Sequence, residues 1–401
     1  MTKSILLVVG LGILFGSGQV ESYFDGSAAN SRRLGVRRRR FLLAFGSSWI
    51  AGLLLCFGFA VYVNPWGNYG EIGCHHEYNA RKAKTIVLGE LAKTELPQAL
   101  VLGSSNVMRL RPAAVEAELG LTAFNCGVFY GRSEDYLCFV RHITEDLGQR
   151  PRLLLVGLDS WTLGPADGPH QFIHGVRRNL FNTPSLVRHL PDVYAGQILW
   201  ARLIDGFSRQ QLMLGLRKLR AGVRRHRIEP LGESWITNQD GTRKYFGNAY
   251  GNVEGNVFAS VEARTFPITE HLTRVLKEKG PEGFVNFKHY DFDAFNPGRV
   301  GYLRETVALC QRQGVELVFF LNPVHPVFRE VVAQETQFLR HIANLRTLIE
   351  ALETEFSVVR GLVDGQTIPG LDPLGYYDEL HPDTANGDLL IQAISRHLDG
   401  Q

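Results

Sequence analysis

The chain has 401 residues, 45% hydrophobic and 21% charged. That is enough apolar material for a large core and excludes wholesale disorder, yet it falls far short of a polytopic transporter. The net charge of +3 rests on six arginines between residues 32 and 40; from residue 64 onward 36 basic residues face 38 acidic ones, which argues against nucleic-acid binding by the main body.

Residues 5–18, ILLVVGLGILFGSG, support three readings: a signal-peptide core, a short second membrane segment, or an over-extended start. Residues 41–63, FLLAFGSSWIAGLLLCFGFAVYV, carry no charge over 23 positions. As a helix they span about 35 Å, enough to cross a bilayer with some tilt. The arginine tract before this stretch predicts a cytoplasmic N-terminus and everything after residue 64 outside, in the manner of a single-pass protein of the inner membrane. The expected organisation is therefore 1–40 basic and cytoplasmic, 41–63 transmembrane, and 64–401 extracytoplasmic.

Beyond the anchor, short apolar runs alternate with helical patterns. Strands are expected at 99–103, 122–127, 152–161, 315–323 and 356–363, with an amphipathic helix over 300–314 ending at Gly314. This alternation predicts an α/β fold with a mostly parallel sheet. Residues 165–295 interrupt it and read as an insertion over one face. They include a basic helical stretch at 216–227 and a hairpin turning at Asp240-Gly241.

Ligands of open α/β sheets gather at the carboxyl ends of the strands. The first strand is followed there by Gly103-Ser104-Ser105-Asn106. A serine at such a junction is either a helix N-cap or an exposed nucleophile, and strand register decides between Ser104 and Ser105. Near the other end of the chain, Asp378 stands three residues before His381. That spacing lets the carboxylate orient the imidazole, leaving its second nitrogen to take a proton from serine. His325, after the fourth strand, is expected at the same edge, either lining a pocket or bonded to backbone. Cys74-His75-His76-Glu77 looks metal-like, but adjacent histidines rarely share one ion. Cys126 reads as a small buried hydrophobe. The five scattered cysteines include no CxxC pair and no zinc spacing. No motif calls for a cofactor or a metal.

These blocks resemble the SGNH/GDSL hydrolase superfamily. The resemblance runs from Gly103-Ser104-Ser105 through Asn125-Cys126-Gly127 to the Asp378…His381 motif and does not cover 165–295. It implies a three-layer fold of that type, a triad of Ser105, His381 and Asp378, and an oxyanion hole to which the Gly127 amide contributes. The family's third block places an asparagine donor where this chain has Asp159, in Gly157-Leu158-Asp159-Ser160. An ionised carboxylate there would repel an oxyanion, so Asp159 is held protonated, points elsewhere, or is replaced by another donor. With its anchor, the layout is similar to membrane-bound envelope proteins such as the D-alanine transfer protein and alginate acetyltransferases. That likeness implies acyl transfer or ester hydrolysis on an exported polysaccharide, beside a membrane-bound O-acyltransferase. The competing expectation is a non-catalytic scaffold that presents polysaccharide to such a partner.

Overall fold

The computed structural model describes residues 28–64, 80–94, 97–165, 180–181, 183–190, 194–220, 268–284 and 286–400. The chain divides into two compact units, Met1–Gly58 and Phe59–Gln401. Helix α1, Ala28–Val63, contains a segment from Arg37 to Val63 long and apolar enough to cross a membrane. The stretch around Cys74, residues 5–18 and the expected hairpin lie outside the described residues, as does the basic stretch beyond Arg220.

In the second unit α2 is Ala80–Leu91, β1 Ala99–Leu102, α3 Pro112–Leu119, β2 Ala123–Asn125, α4 Ser133–Arg141 and β3 Leu153–Leu158. There follow α5 Pro184–Val187, α6 Ala195–Gly206, α7 Arg209–Arg220, α8 Ile268–Lys279, α9 Pro297–Gln313 and β4 Glu316–Leu321. The chain ends with α10 Pro326–Glu335, α11 Phe338–Glu355, β5 Val359–Asp364 and α12 Thr384–Asp399. The five strands form one sheet in the order β2-β1-β3-β4-β5, every pairing parallel.

All five strands lie where apolar runs predict them, and each is shorter than its run. The reason is local: residues beyond Asn125 and Leu158 remain apolar or small but turn away to form the site. Helix α9 shows its terminators plainly. The Asn296 side chain accepts from the Arg299 amide at 3.2 Å, and Gly314 closes the other end at φ +68°, a left-handed position that favours glycine. The described part of the expected insertion is helical, in α5 to α8.

Alternate strand residues point to opposite faces, and here both faces are covered. Leu100, Leu102, Leu154, Val156, Phe319 and Leu321 pack against α2, α4, α9, α10 and α11. Val101, Leu153, Leu155, Val318 and Phe320 pack against α3 and α12. Burial on both sides is why the strands read as unbroken hydrophobic runs.

Because β1 lies between β2 and β3, the chain leaves β1 toward one side and later continues from β3 toward the other. In open sheets of this kind the loops diverge at such a reversal, and ligand crevices lie at the carboxyl ends of these strands. Any chemistry of this fold is expected there.

Candidate active site

The turn after β1 resolves its two serines into different roles. Ser104 is fully buried and its Oγ accepts from the Asn106 amide at 3.2 Å, capping the short 3-10 turn Ser105–Val107. Ser105, one residue on, is only half-buried. Its Oγ lies 2.8 Å from His381 Nε2, across 276 residues of sequence. His381 Nδ1 is 2.6 Å from Asp378 Oδ2.

The turn carrying Asp378 and His381 is closed on itself. Tyr376 bridges Pro382 in antiparallel fashion, and the Tyr377 amide donates to the His381 carbonyl at 2.8 Å. Asp378 Oδ1 accepts from the amides of Leu380 and His381 at 2.7 and 2.8 Å. One carboxylate oxygen therefore fixes the backbone while the other meets the imidazole. The hydroxyl of Tyr377 accepts from Arg109, and the His325 amide donates to the Glu379 carbonyl at 3.0 Å. Asp383 then caps α12 by accepting from the Asn386 amide. The motif is thus a braced turn between β5 and α12 rather than part of a helix.

Adjacent carboxyls here are driven in opposite directions. Burial alone would raise Asp378, but the charge and hydrogen bond of His381 and the two amides outweigh it and hold the group below its ordinary value. Glu379 is pushed up to about 7, first by burial and then by the charge of Asp378, with the Asn286 amide at 3.0 Å pulling it part of the way back. An ionised Asp378 accepts the Nδ1 proton of His381 and leaves Nε2 able to take one from Ser105.

The oxyanion side is built differently from the expectation. Gly127 does lie beside this edge, but its amide donates to Asn125 Oδ1 at 2.9 Å. The cause is the anchoring of Asn125, which is fully buried and donates to the carbonyls of Val107 and Leu110 at 2.6 and 2.9 Å. These bonds leave its oxygen turned back onto Gly127, whose lack of a Cβ avoids collision with Val107. Asn125 is thus a clamp beneath the turn, and the Gly127 amide is already engaged. The Ser105 amide, by contrast, has no acceptor among the described residues.

Asp159 also looks inward. Its Oδ1 accepts from Asn106 Nδ2 at 2.5 Å and Asn322 Nδ2 at 3.0 Å, so one carboxyl ties together the turns after β1, β3 and β4. Oδ2 is buried and makes no hydrogen bond among the described residues. Burial raises this carboxyl, partly offset by the nearby Ser104 hydroxyl and the amides of Asn322 and Asn106. His325 is not a pocket residue. It is fully buried at the start of α10, its Nδ1 accepting from the Val327 amide while Nε2 meets Thr269.

Several residues of the site region carry no mark in the sequence. Asn106 and Asn322 matter only through Asp159. Lys84 of α2, fully buried, donates to the Gly127 carbonyl, and Arg81 forms a bidentate pair with Asp135 at 2.6 and 2.8 Å. For Arg81 and Lys84 the one trace is a basic run, Arg81-Lys82 and Lys84, at the start of α2. Cys126 is buried and its thiol is pushed up to about 12, so it is an inert filler beside the site.

One cluster has the spacing of a metal site. His142 Nδ1 and His189 Nε2 each lie 2.7 Å from Asp146 Oδ2. Arg188 donates to that same oxygen at 2.5 Å. A guanidinium already supplies the positive charge an ion would bring, so the cluster reads as an Arg188–Asp146 ion pair with two histidines on the same carboxylate, tying the residues after α5 to the π-helical turn His142–Asp146 that follows α4.

No family model matches the chain, and no curated protein is significantly similar to it in sequence.

Proposed function

We propose that the protein is a membrane-anchored serine acyltransferase or esterase of the SGNH type, acting on acyl groups of a cell-envelope or exported polysaccharide. The observation that carries this reading is the continuous chain from Ser105 Oγ to His381 to Asp378, at 2.8 and 2.6 Å. Ser105 Oγ attacks the carbonyl carbon of a donor ester while His381 Nε2 takes the hydroxyl proton, and Asp378 balances the imidazolium charge. The tetrahedral adduct collapses as His381 returns the proton to the leaving oxygen, and the acyl group stays on Ser105. A sugar hydroxyl, in transfer, or water, in hydrolysis, then attacks with His381 again as base and frees the serine. The Ser105 amide is the backbone donor available to the oxyanion. The arginines before the span favour an anchor in the inner membrane with the catalytic unit outside, where a membrane-bound O-acyltransferase could supply the acyl group.

A second reading, a scaffold that presents polysaccharide without chemistry, is favoured by the engaged Gly127 amide and by Asp159. The loss of one oxyanion donor typically costs about 3 kcal/mol of transition-state stabilisation. Turnover of an activated aryl acetate, and transfer from it to an exported polysaccharide, separate the two readings on the full-length protein in detergent. The enzyme reading expects turnover in the wild type and background in Ser105→Ala. Equal rates in both leave the scaffold.

A further inference from the structure

Among its described residues the second unit carries an exposed apolar face that its own fold does not use. On α6, Leu199, Trp200, Leu203 and Ile204 are 40–70% exposed, and the face continues through Phe207 to Leu216 on α7. The α6 residues span an arc of about 140° of the helix, so this is an inverted amphipathic helix with its apolar side outward. Outside this helix pair and α1, only Leu339 and Leu374 are exposed large hydrophobics among the described residues. An apolar concentration of that kind on an otherwise polar unit marks a contact surface.

Its position points to the occupant. At Gly215 of α7 an added Cβ would lie 2.7 Å from the Phe59 ring and 3.6 Å from Val63. Helix α7 therefore runs within van der Waals distance of the last turn of α1, where Ala60 and Val63 are buried. The apolar face thus begins where the spanning segment ends. Trp200 has the amphipathic ring favoured at the headgroup level. The last turn of α7, Leu216 to Arg220, adds two arginines and a lysine with no acidic residue, the charge that complements anionic phospholipid.

We infer that α6 and α7 form a monotopic membrane-docking element, their apolar face immersed at the interface of the same bilayer that α1 crosses. The inference rests on the reading of α1 as a membrane anchor. Such a helix pair sinks about 5–10 Å into the headgroup and acyl boundary. It gives the catalytic unit a second hold on the membrane besides its tether, and so fixes which way the site faces.

The test uses the full chain in vesicles of phosphatidylcholine and phosphatidylglycerol with brominated acyl chains. A fluorophore is placed singly at Leu203→Cys or Leu216→Cys, with Cys56 and Cys74 changed to serine; Cys126, Cys138 and Cys310 are buried and stay. Leu339→Cys and Leu374→Cys report exposed positions away from the face, and Leu55→Cys reports the span. Bromine quenching at Leu203→Cys and Leu216→Cys is expected to exceed that at Leu339→Cys and Leu374→Cys by about threefold, as for probes at interfacial depth. Quenching at Leu55→Cys with none above the references at 203 and 216 overturns the inference while sparing the anchor, and assigns the face to a protein partner instead. Absence of quenching at Leu55→Cys removes the anchor reading and this inference with it.

Discussion

The two sides of the site are built to different standards. On one side, residues 376–383 form a braced turn in which Asp378 and its bonds hold one imidazole toward Ser105. On the other, the groups that could receive negative charge are committed to holding the fold. Asn125 clamps the turn after β1 and engages Gly127, and Asp159 joins three loops through a single oxygen. The contrast teaches that proton transfer and charge stabilisation are separable provisions. This chain has an orienting acid and a base in place and a thin oxyanion pocket. On the proposed reading, a thin oxyanion pocket beside a well-oriented base would make both formation and breakdown of an acyl-enzyme slow.

The largest effects should come from breaking the well-built side. Ser105→Ala and His381→Ala are each expected to lower kcat/KM on an activated ester by at least about 10^4-fold, and the double variant should be no worse than either alone, because the pair acts as a unit. Asp378→Asn keeps the shape of the turn but disturbs the His381 tautomer, and a fall of about 10^3 to 10^4 is expected in the same assay. A double variant clearly slower than both single ones would mean that the hydroxyl and imidazole work separately.

Asp159→Asn probes the thin side. Asparagine keeps an oxygen for Asn106 and Asn322 and removes a carboxyl that, when ionised, would repel a nearby oxyanion. The account expects kcat to rise by about tenfold, a gain on the order of 1.4 kcal/mol, with the melting temperature unchanged or higher because a buried carboxyl is removed. A fall in kcat at unchanged stability would show Asp159 acting as a donor or base in the chemistry.

The last effect is on stability and concerns pH. Glu379 titrates at about 7 in the folded chain against an ordinary value of 4.5. Between these values the folded state keeps a proton that the unfolded state has lost. Its contribution to stability is therefore full below 4.5, declines as pH rises to about 7, and is constant above. Asp378, held low, works in the opposite sense, its contribution being lost as pH falls below the ordinary carboxylate range. Chemical denaturation of Glu379→Gln at a series of pH values should show a clearly shallower decline between 4.5 and 7. An unchanged decline would place its origin elsewhere.

Much of the architecture was legible because parallel strands buried on both faces write themselves as apolar runs. Their carboxyl ends were not, since Cys126-Gly127 and Ser160-Trp161 remain apolar or small while the backbone turns. That a serine after β1 could meet His381 was expected from two short motifs and the family they resemble; which of the two serines does so depends on strand register, and the structure brings Ser105 there. The engagement of Gly127 was readable too, since an asparagine side chain commonly accepts from the amide two residues on. His325 followed by Pro326 likewise carries the mark of a helix start. The bonds of Asp159 to Asn106 and Asn322 lie 53 and 163 residues apart and have no local signature. Only the assembled sheet edge brings those amides together.

The most direct measurement is phosphonylation of the full-length protein by a fluorophosphonate, followed by peptide mapping. The account predicts one adduct, on Ser105, lost in Ser105→Ala and strongly slowed in His381→Ala. An unlabelled wild type, or an adduct that persists in Ser105→Ala, would contradict it.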